Sequence, residues 1–392
     1  MRILTLAALV AAVASPSVAQ SLLPGETLST IEVRPISAPN PVLGADDRQH
    51  LAYELLVVNP SRFFVTLDRI EATDSAGAVL GTLEGDALAA VSILWSGEKA
   101  TLPPGGSVAV LLDVTFPADA TLPDRVMSRV SATRQSAGPD GKPAPWPANA
   151  PFPASFVFTG AETPVGAPAV VVAPPLRGDG WAAINGCCDT ITSHRGALIP
   201  VDGRLRVPER FAIDWVKLDE NGRIFTGDGS RLEDFAYFGA EILSATDGTV
   251  VNTYDEADEQ VPNQPATGIT PENIGGNMVV VDIGGGAFAF YAHLRRGSQK
   301  VKLGDKVSTG QVLGLLGNTG NSTAPHLHFH VMDSPSPLDA NGLPYVFTRF
   351  TSRGFLTSDD ALERGVAAEI DPRLAGTHEN QLPLDNEVVG FD

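Results

Sequence analysis

The chain has 392 residues, of which 43% are hydrophobic and 19% are charged, and its formal net charge is −19. This length predicts two domains or slightly more, with enough apolar residues to build real cores. The phosphate backbone of a nucleic acid repels a chain this acidic, so nucleic acid is not expected as a partner.

The chain begins with MRILTLAALVAAVASPSVAQS. Arg2 supplies a positive start, an apolar run follows, and small residues occupy the positions that determine signal cleavage. We therefore predict a signal peptide over residues 1–19 and an exported protein, either periplasmic or secreted. The apolar run is shorter than the ~20 residues that a transmembrane helix needs, and no later stretch is predicted to span a membrane.

Residues 20–160 contain short apolar runs separated by turns rich in Gly, Pro, Asp and Ser. The runs are IEVRPI, LAYELLVV, FFVTLDRIEAT, SVAVLLDVTF and ASFVFTG. Their spacing predicts an antiparallel β-sandwich of the immunoglobulin-like kind. His50 in this part is interpreted as a polar surface residue. The proline-rich stretch that follows is interpreted as a linker over residues 161–178.

Residues 179–355 again read as strands, with glycine and asparagine between the apolar runs. Examples are RFAIDWV, NMVVVDIG, AFAFYAHL and HLHFHVMD. This pattern predicts a glycine-rich all-β domain, so the whole chain is expected to be mainly β. Residues 356–392 are predicted to form a helix that begins near Asp359, followed by a loosely attached acidic tail.

The chain has two cysteines, Cys187 and Cys188, and they are adjacent. Adjacent cysteines cannot form a conventional disulfide framework. Two buried thiols are the favoured interpretation, and a vicinal disulfide and metal ligation are the alternatives.

The segment PHLHFH contains three of the seven histidines, namely His326, His328 and His330. Because strand residues alternate between faces, these imidazoles are expected to share one face, while Leu327 and Phe329 point into the core. Neutral imidazole is a preferred zinc ligand, and a catalytic zinc needs three protein ligands and an open position for water. The pattern therefore indicates a zinc site.

The C-terminal half resembles the LytM/lysostaphin-type zinc metallopeptidases. The resemblance lies in GGNMVVVDIGGGAFAFYAHL and in VKLGDKVSTGQVLGLLGNTGNSTAPHLHFHV, and it covers residues 275–331 almost continuously. It extends more weakly back to Trp181 and does not include the N-terminal domain. The resemblance implies Zn²⁺ as cofactor, with His328 and Asp214 as ligands. It implies that His293 and His326 flank the reacting water and carbonyl, as general acid or base and as stabilisers of the oxyanion.

One position departs from the family pattern. Arg210 stands four residues before Asp214, where the family has a histidine ligand, and a guanidinium has no lone pair for a metal. By elimination among the histidines, His194 is predicted as the third ligand, on a strand beside that of Asp214. His330 is the competing candidate, and a site without metal is the third alternative. Arg210 itself is a candidate for pairing with a substrate carboxylate.

The resemblance therefore implies an exported zinc metalloendopeptidase in which zinc-activated water hydrolyses peptide bonds, with peptides of peptidoglycan as substrate. The alternative is an inactive relative that acts as a scaffold or activator of cell-wall hydrolases. The predicted sandwich is expected to position the enzyme or to bind a protein partner or wall polymer.

Overall fold

The computed structural model describes residues 22, 26–96 and 100–392. The predicted signal peptide lies outside these residues. The fold is mainly β, as expected. Within the described part of the chain, no helix is long and apolar enough to cross a membrane.

The described residues of the N-terminal part form twelve strands and one short helix. They are β1 (Glu32–Pro35), β2 (Asn40–Leu43), β3 (Arg48–Val58), β4 (Phe64–Thr73), β5 (Val79–Glu84), α1 (Gly85–Ala90), β6 (Ser92–Leu94), β7 (Thr101–Leu102), β8 (Ser107–Pro117), β9 (Arg125–Ala137), β10 (Pro143–Ala144), β11 (Ser155–Thr159) and β12 (Thr163–Pro164).

These strands form two sheets. The first has the order β1-β3-β8-β6, with β2 on β3, and the second has the order β10-β9-β4-β5, with β11 and β12 on β9 and β7 on β4. Alternate apolar residues of β3 and β8 pack against those of β4 and β9 in one shared core. The N-terminal part is therefore a two-sheet sandwich, and its immunoglobulin-like nature stays a prediction.

The C-terminal part contains the remaining elements. They are β13 (Val170–Val172), β14 (Gly178–Ile184), β15 (Ile199–Val201), β16 (Arg204–Arg206), β17 (Ile213–Lys217), a 3₁₀ turn (Leu232–Asp234), β18 (Glu241–Leu243), β19 (Gly248–Tyr254), β20 (Asn277–Gly284), β21 (Ala287–Leu294), β22 (Lys306–Val307), β23 (Val312–Leu315), β24 (Leu327–Met332), β25 (Gly342–Leu343), β26 (Tyr345–Phe347), β27 (Phe350–Leu356), α2 (Asp360–Glu363), β28 (Ile370–Asp371), β29 (Gly376–His378) and β30 (Glu387–Phe391).

One large sheet organises this part, with the order β22-β19-β20-β21-β24-β17-β14-β30-β27-β28. Strand β24 lies near its centre, between β21 and β17. Its register places His328 opposite Ala292 of β21 and opposite Asp214 of β17. The sheet thereby brings together residues that are more than a hundred positions apart in the chain.

The loosely attached tail is a wrong prediction. The helix is a single turn, α2, and the chain then returns to the large sheet as β30, between β14 and β27. All five residues of β30 are buried. The predicted linker is also partly ordered into sheets, because β12 pairs with β9 and β13 pairs with β26. The hydrophobic effect favours burial of the apolar side chains of EVVGF, so this segment joins the sheet although the sequence around it is acidic.

Two further expectations are corrected where the two parts meet. His50 is only 5% exposed, so its interpretation as a surface residue is wrong. Its Nδ1 lies 2.8 Å from Asp113, and its Nε2 lies 3.2 Å from Asp46. Cys187 and Cys188 are buried and joined as a vicinal disulfide with an S–S distance of 1.97 Å. The interpretations as buried thiols and as metal ligands are therefore wrong.

Candidate metal and catalytic site

The three histidines of PHLHFH line a groove of about 670 Å³ in the C-terminal part. Leu327 and Phe329, which alternate with them, are fully buried in the main core. The expected division of this segment into a histidine face and a core face is confirmed by this arrangement.

Asp214 is the centre of the histidine cluster. Its Oδ1 lies 3.0 Å from His328 Nδ1 and 3.3 Å from His326 Nε2. Its Oδ2 lies 3.2 Å from His194 Nε2 and accepts a hydrogen bond of 2.9 Å from the Asn185 side-chain amide. One carboxylate thus connects three imidazoles, one from the region of residue 194 and two from the PHLHFH segment.

His194 reaches Asp214 from a turn. Residues 193–196 form this turn, in which the Gly196 N–H donates to the Thr192 carbonyl at 2.9 Å. The expectation that His194 lies on a strand is therefore wrong, although its proximity to Asp214 is as expected. The Nδ1–H of His194 donates to the Ala212 carbonyl at 3.0 Å, which leaves Nε2 free to face the carboxylate.

The donor atoms of His194, Asp214 and His328 all lie within 4.8 Å of one another. Two imidazole nitrogens and a carboxylate oxygen form a donor set that suits zinc. The other ring nitrogen of His328 lies 2.9 Å from His330 Nδ1, so the ring orientation is held by a second hydrogen bond, as is usual for ligating histidines. The residues therefore fit the metal that the sequence implies.

His330 lies beside this trio. Its Nδ1 forms the hydrogen bond of 2.9 Å with His328 Nε2, and its own Nε2 is buried without a hydrogen-bond partner among the described residues. The side chain is only 1% exposed. Its position favours a supporting role for His330 over direct ligation, and the choice between His194 and His330 stays a prediction.

His293 and His326 form a second pair, with ring centroids 4.5 Å apart. The Nδ1–H of His293 donates to the Thr319 carbonyl at 2.6 Å, and the Nδ1–H of His326 donates to the Ala324 carbonyl at 2.8 Å. The bond of His293 leaves its Nε2 available for proton transfer, whereas Nε2 of His326 faces the Asp214 carboxylate at 3.3 Å. The pair therefore has the geometry that general acid–base chemistry needs.

Glycines fix the carbonyl that holds His293. Gly320 has φ of +77°, and a Cβ added there would overlap the backbone of Gly276. Only glycine allows the two backbones to approach this closely. Since Thr319 precedes Gly320, this contact determines where its carbonyl lies.

The electrostatics of the cluster centre on the Asp214 carboxylate. Burial opposes its charge, but His194 and His326 outweigh burial and hold the pKa of Asp214 well below its usual range. Burial also opposes the charge of His194 and by itself would lower the pKa of this imidazole. The Asp214 carboxylate outweighs burial and raises the pKa of His194 to about 9. For His326 too, Asp214 outweighs burial and raises the pKa. A metal must displace these protons, because only neutral imidazole ligates.

The pKa values of two further histidines of the groove, His293 and His330, shift in the opposite direction. Burial, reinforced by the neighbouring imidazoles, holds the pKa of both His293 and His330 well below the usual range. Among the described residues that line the groove, Glu209 and Glu272 add negative charge and none is Lys or Arg. The groove therefore favours a bound cation.

Arg210 points away from the groove. It is 1% exposed and donates to the carbonyls of Ala38 and Ala52 in the sandwich, so the proposed pairing with a substrate carboxylate is wrong. Asn185 is the site residue that sequence reasoning missed. Its position two residues before the cysteine pair carried no motif, and only its contact with Asp214 identifies it.

Comparison with known proteins gives a match over part of the chain. Residues 232–340 match the model of Peptidase family M23, a range that includes His293, His326 and His328 and begins after Asp214.

Relatives with described activities match over short regions. Peptidoglycan DD-endopeptidase ShyA of Vibrio cholerae is 34% identical over 143 residues, which are 36% of this chain and 28% of ShyA. Glycyl-glycine endopeptidase ALE-1 of Staphylococcus capitis is 48% identical over 59 residues, which are 15% of this chain and 16% of ALE-1. Lysostaphin of Staphylococcus simulans is 46% identical over 59 residues, which are 15% of this chain and 12% of lysostaphin. The matched regions therefore span less than a third of each relative.

Proposed function

Residues 232–340 form a peptidase family M23 domain of the LytM/lysostaphin type, and on this basis we propose that the protein is an exported zinc metalloendopeptidase. Its proposed substrates are peptide bonds in the cross-links or stem peptides of peptidoglycan. The observation that carries the proposal is the convergence of His194, Asp214 and His328 beside the pair His293 and His326.

The substrate class rests on the relatives. ShyA is described as a peptidoglycan DD-endopeptidase and ALE-1 as a glycyl-glycine endopeptidase. Both descriptions name hydrolysis of a peptide bond, and the predicted signal peptide would deliver this protein to the compartment where peptidoglycan lies.

We assign the metal to His194 Nε2, the Asp214 carboxylate and His328 Nδ1. Zinc bound there would supply a Lewis acid and lower the pKa of water to about 7. His293 and His326 hold their Nδ1 protons on backbone carbonyls. This keeps Nε2 of His293 for the reaction, and Nε2 of His326, which lies 3.3 Å from Asp214 Oδ1, would be released to it once the carboxylate binds the metal. One Nε2 accepts the proton of the attacking water, and the same N–H then stabilises the oxyanion or protonates the leaving amine.

Arg210 at the family's ligand position is the reason to consider an inactive scaffold. His194 answers this objection, because it offers a nitrogen within reach of both Asp214 and His328. A protein without catalysis has no need for His293 and His326 to be held by carbonyl groups beside that trio. The arrangement therefore favours the enzyme.

The test is metal analysis of the purified mature chain, followed by digestion of purified peptidoglycan with mass analysis of the products. We expect about one zinc per chain and released peptides. His328→Ala is expected to lose both, whereas His378→Gln, which changes a buried histidine outside the groove, is expected to keep both. A wild-type protein that takes up no zinc and releases no peptide would refute the proposal.

A further inference from the structure

Two arginines of the peptidase part converge on one carboxylate of the sandwich. We propose that Glu54, in β3, is a positioning residue for the metal site and acts through Arg195 and Arg210. The sandwich would thus be a structural part of the catalytic centre. The inference rests on the proposed function, because it takes His194, Asp214 and His328 as the metal ligands.

These three side chains, here called the interdomain triad (Glu54, Arg195 and Arg210), are almost completely enclosed. Glu54 is 0%, Arg195 2% and Arg210 1% exposed. Glu54 Oε1 lies 3.3 Å from Arg210 Nε and 3.9 Å from Arg195 Nη2. This oxygen has no hydrogen bond to any described residue, and the two guanidinium groups lie beside it as compensating charges.

Arg210 fastens the segment before β17 to the sandwich. Its Nη1 donates to the carbonyls of Ala38 and Ala52 at 2.9 and 2.8 Å, and its Nη2 donates to Ser37 Oγ. Ser37 in turn donates to Glu54 Oε2 at 3.3 Å. The family's ligand position is therefore occupied by a residue that binds the other domain.

Arg195 fastens the turn that carries His194. Its Nη1 donates to the Cys188 carbonyl at 2.7 Å, and its Nη2 donates to the Leu112 carbonyl of the sandwich at 3.4 Å. The Arg195 N–H donates to Thr192 Oγ1 at 3.1 Å, which closes the turn. Because His194 is the preceding residue, its backbone cannot move independently of this side chain.

The two fastened segments meet at the metal ligands. The carbonyl that orients the His194 ring belongs to Ala212, two residues after Arg210, and Asp214 follows two residues later. Glu54 therefore sets the distance between the segment that supplies His194 and the segment that supplies Asp214.

The charge balance explains why the carboxylate is needed. Two buried guanidinium groups repel each other, and an unpaired buried charge is strongly unfavourable. Burial and the nearby Arg195 both lower the pKa of Arg210, while Glu54 and Asp333 oppose them. Without Glu54, the segments that carry His194 and Asp214 are expected to separate. The imidazole nitrogen and the carboxylate oxygen would then lie too far apart to bind one metal ion well.

The test compares zinc affinity, measured by competition with a chelator, in the full chain and in its Glu54→Gln variant. The absorption spectrum of the Co²⁺-substituted protein serves as a second readout, because it reports ligand geometry and does not depend on activity. We expect zinc affinity to fall about 10- to 100-fold, as for other groups that support metal ligands, and the spectrum to change. Val110→Ala, a cavity variant in the sandwich core, is the control for lost stability and is expected to keep both readouts.

Arg195→Gln provides a second variant if Glu54→Gln does not fold. It leaves the pair of Glu54 and Arg210 intact and removes the contacts that the Arg195 side chain makes with Glu54, Cys188 and Leu112 beside the turn of His194. We again expect weaker zinc binding. Unchanged affinity and spectrum in a folded Glu54→Gln or Arg195→Gln protein would overturn the inference and leave the proposed function standing. A wild type that binds no zinc would instead refute the proposed function, and the inference with it.

Discussion

His50 is expected to make the stability of the protein depend on pH. Its imidazole lies between Asp46 and Asp113 and is 5% exposed. Burial alone would lower its pKa, but the two carboxylates outweigh burial and raise it to about 9, from 6.5 for an unperturbed histidine. The folded protein therefore holds this proton more tightly than the unfolded chain does.

The sign and size follow from linkage. A group whose pKa is raised on folding contributes its full stabilisation below pH 6.5, and this stabilisation is lost as the pH rises through about 9. The pKa of His50 rises from 6.5 to about 9 on folding, and a pKa difference of one corresponds to about 1.4 kcal/mol, so the stabilisation that is lost amounts to about 3 kcal/mol. His50→Gln removes the titrating group and hence this loss.

The assay is unfolding by guanidinium chloride at pH 6 and at pH 9.5, for the wild type and for His50→Gln. We expect the free energy of unfolding of the wild type to fall by about 3 kcal/mol more than that of the variant. Val57→Ala, a core control, is expected to lower stability equally at both pH values. If the wild type and His50→Gln show the same pH dependence, the reasoning is wrong.

The remaining predictions concern the site and one buried acid. His194→Ala should lower zinc affinity by about 100-fold or more, since one ligand contributes roughly 3 kcal/mol. His330→Ala should lower zinc affinity less, and a larger loss in His330→Ala than in His194→Ala would reverse the ligand assignment. Gly320→Ala should displace the Thr319 carbonyl and lower kcat about tenfold or more with zinc content unchanged, whereas Gly297→Ala, at a positive φ with open space around it, should not. Burial raises the pKa of Glu387 from 4.5 to about 7, so its stabilisation is lost as the pH rises through 7. Glu387→Gln should therefore raise the Tm at pH 8 more than at pH 5, and an equal change at both would contradict this.

The sequence predicted the histidine face of β24 correctly for a local reason. Alternation along a strand depends only on backbone geometry, so His328 and Phe329 must point to opposite sides once the strand forms. The apolar partners then determine which side is the core. The same periodicity identified most other strands that line the groove.

Sequence reasoning failed where a residue's environment comes from distant segments. His50 was interpreted as exposed because its neighbours in the chain are polar, yet Asp113 of β8 encloses it. Arg210 was expected near substrate, whereas its partners are Ala38 and Ala52 of the other domain. EVVGF at the end of the chain was not recognised as a strand, because it is short and isolated in an acidic stretch.

By itself, the sequence determined the mainly β composition of the fold and the shared face of the three histidines, and its resemblance to a family pointed to Asp214, His293 and His328 as residues to propose for the site. These follow from periodicity and from residue types at short spacing. The tertiary structure alone decided that a turn carries His194 to Asp214, that Asn185 joins them, and that Glu54 holds the two arginines. The physical reason is that these contacts connect residues up to about 160 positions apart. No local pattern encodes such contacts, because they arise only when the sheets and the two domains pack together.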